Sequence, residues 1–114
     1  MIMIGHLRFP AIDSIYPASL SSVITADFLR NKLGYDGIII TDDLGMGAIM
    51  NLYSLPEAAI LAIKAGADIV LMARDERDYE VVYRAIKDAV INKEIPEGRL
   101  NESVRRILRL KINA

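Results

Sequence analysis

Gly37-Ile38-Ile39-Ile40-Thr41-Asp42-Asp43-Leu44-Gly45-Met46 brings an apolar β-run to an abrupt end on two carboxylates. In parallel α/β folds the ligand crevice lies at the carboxyl ends of the strands, so a carboxylate presented by Thr41-Asp42-Asp43 faces any bound substrate. An Asp at a strand end also suits a plainer task, because its oxygen accepts a free backbone N–H of the helix that follows. Spacing alone leaves these two readings level.

On either side of this stretch strands and helices take turns. Met1 to Ile4 reads as a short strand ending at Gly5-His6, and a polar loop from Arg8 to Ser19 follows, broken by Pro10 and Pro17. Ser21 caps a predicted helix with Ile24, Phe28, Leu29 and Leu33 on one face, and Gly34 stands at its end. The strand Gly37 to Thr41 leads into a short predicted helix from Leu44 to Leu52. Ser54 and Glu57, with Pro56 between them, form a capping-box signature for a helix that runs to Ala65 and is stopped by Gly66. Asp68 to Met72 reads as a third strand. Asp75 then caps a long helix with Tyr79, Val82, Tyr83, Ile86 and Val90 at helical spacing. The turn Ile95-Pro96-Glu97-Gly98 leads into a last helix carrying Val104, Ile107, Leu108 and Ile112 on one side. Right-handed crossovers make the three strands parallel neighbours. Three strands cannot close a barrel, and bare sheet edges are what folded proteins avoid, so the pattern reads as a piece of a larger architecture.

Composition narrows the function. The chain has 114 residues, of which 53% are hydrophobic, and a net charge of −1. That much apolar residue in so small an interior points to strands buried on both faces, the habit of parallel sheets wrapped in helices. Apart from Arg105-Arg106 and Arg109 the basic residues are scattered, which is not a nucleic-acid footprint. Cys is absent and His6 is the only imidazole, so no metal and no cofactor is expected. No apolar run reaches the ~20 residues that span a bilayer, and Met1-Ile2-Met3-Ile4 is short for a signal peptide, so no membrane partner and a cytoplasmic location are expected. Asp75-Glu76-Arg77-Asp78 reads as a helix start with acids suited to the dipole. Arg105, Arg106, Arg109 and Lys111 read as a solvated face, and Tyr79 and Tyr83 as packing residues.

The residues also carry a family resemblance. Met3-Ile4-Gly5-His6, Phe9-Pro10-Ala11-Ile12-Asp13, Pro17-Ala18-Ser19-Leu20-Ser21 and Leu33-Gly34-Tyr35-Asp36-Gly37 through Leu44 with Met46 resemble glycoside hydrolase family 3, in its β-N-acetylglucosaminidase branch. Glu57-Ala58-Ala59, Lys64-Ala65-Gly66-Ala67-Asp68, Leu71-Met72 and the run Ser103 to Leu108 with Lys111 fit the same family, in order and at its spacing.

The resemblance implies an α/β fold, a partial (β/α)8 TIM barrel of about three parallel strands with flanking helices. Residues 1–114 would form a single domain matching the C-terminal third of the family's catalytic barrel. It also implies a retaining hydrolase of terminal N-acetylglucosamine-type β-glycosides, whose Asp nucleophile falls on Asp42. His6 and Met46 align with pocket-lining, substrate-binding positions, although a His at a strand end and a Met one turn into a helix equally serve structure. Successive strand residues point to opposite faces, so Asp42 and Asp43 are not expected to form an acid and nucleophile pair. The family's acid/base, a His assisted by an Asp near a Lys-His-Phe-Pro-Gly-His-Gly motif, has no counterpart here. The expected partners are an N-acetylglucosamine-containing glycan and either the missing barrel portion or further copies of this chain. The alternative is a catalytically inactive truncated barrel fragment with a structural or oligomerising role.

Overall fold

Strands Ile2–Ile4 (β1), Ile39–Asp43 (β2) and Ile69–Leu71 (β3) form one parallel sheet in the order β1-β2-β3 in the computed structural model, which describes residues 1–114 throughout. Ile2, Met3 and Ile4 pair with Ile39, Ile40 and Thr41, and Ile40 pairs with Ile69. Beyond Ile40 the second ladder slips by one residue before Asp43 meets Leu71. β2 therefore extends further than the apolar run, and both carboxylates lie within it. Pairing of Asp43 with Leu71 carries the strand to its end.

The sheet has one covered side. Ile39 and Thr41 are buried there, at 0% and 1% exposure, under helix Leu55–Ala65 (α2). Ile40 and Asp42, one residue out of phase, are only half-buried. Alternation along the strand thus places Met3, Ile40, Ile69 and Asp42 on the side that no helix covers. On the covered side Leu20, Leu44, Ile49, Leu55 and Val82 pack around Ala58, Ala59 and Ala62, whose small side chains let α2 lie close to the sheet and to helix Glu76–Ile91 (α3). Helix Glu97–Ile112 (α4) closes the chain.

Helix ends follow the sequence closely. Ser54 accepts from the Glu57 N–H while Glu57 accepts from the Ser54 N–H, completing the capping box, and these bonds hold the Glu57 carboxyl below its ordinary range. Asp75 accepts from the Arg77 N–H at the start of α3. Tyr79 and Tyr83, read as packing residues, are 67% and 61% exposed, the sheet is covered on one side rather than both, and three further expectations give way. The segment from Leu44 to Leu52 holds only a four-residue helix, Gly47–Met50 (α1), because Leu44 to Met46 is a turn tied to β2 and β3. Leu44 N–H donates to the Leu71 carbonyl and Met46 N–H to the Asp43 carbonyl. Residues Val23–Lys32 form a π-helix, whose wider winding shows in the Leu33 N–H bond to the Phe28 carbonyl at 2.9 Å. That spacing breaks the 3.6 period on which the predicted apolar face rested, and Phe28 and Leu33 are left 47% and 60% exposed.

The third correction concerns the basic residues of α4. Asp68, at the amino end of β3, has a side chain with 0% exposure that accepts from Arg30, from the Ile39 N–H at 3.0 Å, from Ser103 Oγ at 2.8 Å and from Arg106 Nη1 at 3.1 Å. Arg99 adds its charge at 3.7 Å and donates to the Ile63 and Ala67 carbonyls. Burial lowers the Arg99 pKa, and the charge of Asp68 opposes that shift. Arg106 also reaches Asp36, joined there by Arg109, and these guanidiniums hold the Asp36 carboxyl below its ordinary range. Arg106 is therefore a structural partner of the sheet rather than part of a solvated face. Arg105 and Lys111 remain exposed.

Gly66 ends α2 at φ +123°, where a Cβ would stand 3.0 Å from Thr25 Cγ2. Gly66→Ala is expected to destabilise the chain by about 1–3 kcal/mol, read as a lower urea midpoint at unchanged slope.

Candidate active site

The carboxyl ends of the three strands meet at Asp43. The Asp42 carboxylate, on the uncovered side of the sheet, accepts the Asp43 N–H through Oδ1 at 2.8 Å. The two carboxylates do different work. Asp43 Oδ1 accepts from the Gly45 N–H at 2.8 Å and the Ala73 N–H at 3.2 Å, tying the turn after β2 to the end of β3. Gly45 suits this close approach, because a Cβ there would meet Arg74 Cδ at 2.6 Å and Asp43 Oδ1 at 3.1 Å. Asp43 is thus a structural acceptor, though not for the helix that follows, since α1 has Met46 at its N-cap and no side-chain cap.

His6, in the loop after β1, uses both ring nitrogens. Nε2 lies 2.8 Å from the Asp43 carbonyl oxygen and Nδ1 lies 2.7 Å from Ser19 Oγ. A carbonyl oxygen only accepts, so Nε2 carries a proton, and in the neutral ring Nδ1 accepts from the Ser19 hydroxyl. Ser19 is itself buried in the short 3-10 turn Ala18–Leu20. Met46 is the residue preceding α1, extended at φ −69°, ψ 149° and 45% exposed, so it is not core filling.

Sequence reasoning did not find the support beneath His6. Asp13 Oδ1 accepts from the Ile15 and Tyr16 N–H groups at 2.9 and 3.0 Å, and Asp13 Oδ2 accepts from Ser21 Oγ at 2.6 Å. The hydroxyl of Ser21, with these two backbone donors, lowers the Asp13 pKa. The one signal in the sequence was an Asp two and three residues ahead of its backbone donors, the mark of an Asx-turn within a polar loop. Ser19 carries no such signal, since its partner is distant in sequence. Among the side chains described, no cluster of His, Asp and Glu could hold a metal ion.

Residues 1–110 match the profile of the Glycosyl hydrolase family 3 N terminal domain. Beta-hexosaminidase A of Pseudoalteromonas piscicida is 32% identical over 97% of this chain and 21% of its own length. Beta-hexosaminidase LpqI of Mycobacterium tuberculosis is 34% identical over 96% of this chain and 29% of its own length. The solved structure of a glycoside hydrolase family 3 β-N-acetylglucosaminidase from Paenibacillus sp. superposes with a TM-score of 0.92 at 40% identity, over 96% of this chain and 21% of that one. The chain thus spans about a fifth to a third of the length of these relatives.

Proposed function

The chain belongs to glycosyl hydrolase family 3, and on that premise we propose that it supplies the nucleophile segment of a retaining β-N-acetylhexosaminidase. One observation carries this reading: Asp42, the penultimate residue of β2, lies on the side of the sheet that no helix covers, with Oδ1 held by the Asp43 N–H. In the proposed reaction Oδ2 attacks the anomeric carbon of a terminal N-acetylglucosamine-type β-glycoside as the aglycone oxygen departs. Water then cleaves the glycosyl ester and releases the sugar with retained configuration. His6 and Met46 are assigned to the lining of the sugar site.

A retaining enzyme needs an acid about 5–5.5 Å from the nucleophile to protonate the leaving oxygen. Neither near neighbour is free for that task, since Asp43 is bonded to two backbone N–H groups and His6 to Ser19 and a carbonyl. The acid and most sugar contacts therefore come from the remainder of a barrel, as part of a longer polypeptide, another chain or further copies. The decisive experiment replaces the matching segment of the Paenibacillus enzyme with this chain. The chimera is expected to hydrolyse an aryl N-acetyl-β-glucosaminide, and a folded chimera without turnover would favour the inactive fragment.

Met3, on the uncovered sheet side, is 55% exposed, and the loop residues Leu7 and Ile15 are 67% and 65% exposed, apolar area that the chain alone leaves in water. The chain alone is expected to sediment as a species heavier than its 12.7 kDa monomer at micromolar concentration, or to pair with the rest of a barrel. A compact monomer that survives dilution and unfolds cooperatively would overturn that expectation.

A further inference from the structure

Asp43 is a hub. Its N–H donates to Asp42 Oδ1, its carbonyl accepts from His6 Nε2, and its carboxylate accepts from the turn after β2 and from the end of β3. We propose that His6, backed by Ser19, is a positioning residue that sets the orientation of the Asp42 carboxylate through the Asp43 backbone. The inference rests on the reading of Asp42 as nucleophile and adds a role for His6 that contact with sugar alone would not require.

The N–H and the carbonyl of Asp43 lie in the two rigid peptide planes on either side of its Cα. The carbonyl accepting from His6 belongs to the residue whose N–H holds Asp42 Oδ1, with only two soft dihedrals between them. Clamping the carbonyl from β1 and the side chain from β3 therefore restricts where that N–H points. One carboxylate oxygen is then occupied and the other is left for attack along one direction. His6 cannot drift, because its second nitrogen is fixed by a hydroxyl that is 1% exposed by residue. Three strand ends are thereby joined by side chains at the point where ladder bonds stop, and Asp13 secures the same loop through Ser21. Carboxylate misplacement by an ångström is enough to cost about 10²-fold in rate.

The test uses the full chain within the chimeric barrel, and reads kcat and KM separately with an aryl N-acetyl-β-glucosaminide. His6→Leu is expected to lower kcat between about ten- and a hundredfold with KM changed less than about twofold, and to slow trapping by a 2-fluoro glycosyl donor in parallel. His6→Gln, whose amide retains a donor at nearly the same reach, is expected to recover most of the loss. A raised KM at unchanged kcat would make His6 a sugar contact and overturn the proposal, as would equal rates in all forms. Should His6→Leu melt out, Ser19→Ala keeps the ring and frees its orientation. It is expected to lower kcat several-fold at constant KM, and no change in kcat would again overturn the proposal. Asp42→Ala, run alongside, isolates the underlying reading: retained turnover there refutes the nucleophile assignment whatever His6 does.

Discussion

Asp42→Ala in the chimeric barrel is expected to reduce turnover by roughly 10³-fold or more, and to abolish covalent trapping by a 2-fluoro glycosyl donor. No neighbouring group can take over. The carboxylate of Asp43 is committed to the Gly45 and Ala73 N–H groups, and moving it to the sugar would break both bonds. Asp43→Ala is expected to keep the label on Asp42, at a slower rate and with a less stable strand tip. Mass spectrometry of the peptide spanning residues 37–50 locates the adduct. A label on Asp43, or on no residue of this peptide in an active chimera, would overturn the assignment.

Asp68→Ala is expected to have the largest effect on folding, a loss of about 3–5 kcal/mol, because it leaves Arg30, Arg99 and Arg106 facing one another without their shared anion. Small domains hold only about 5–15 kcal/mol in total, so this variant should lose a large share of its stability. Asp68→Asn keeps an acceptor for the Ile39 N–H and should fall between the two. Circular dichroism with urea titration distinguishes the three proteins. A midpoint for Asp68→Ala within error of the parent would show that the cluster is incidental. The site at the opposite end of the strands should be touched only through global unfolding.

Much of this architecture is legible from the residues because its signals are local. The capping box of Ser54 and Glu57, the Asp75 cap and the opposed facing of Asp42 and Asp43 each operate within about four residues, the range over which spacing carries information. The ion cluster is not local. Asp68 meets Arg30 and Arg106, each 38 residues away, and no pattern on α4 distinguishes Arg106 from exposed Arg105. The hub at Asp43 is concealed for the same reason, since His6 reaches it across 37 residues. The π-helix escapes because Ile24, Phe28 and Leu29 satisfy the α-helical period, whereas the residue the helix buries is Thr25, whose hydroxyl donates to the Ala18 carbonyl.

The ion cluster also sets a timetable. During synthesis at about 5–20 residues per second, Asp68 leaves the ribosome several seconds before α4 does. Throughout that interval its carboxylate can reach Arg30 but has neither Arg99 nor Arg106 to meet. The nascent sheet therefore waits for its last partners, and contacts of such long range are slow to close. A pause in translation just ahead of α4 would lengthen the time this strand spends open to proteases and to neighbouring chains.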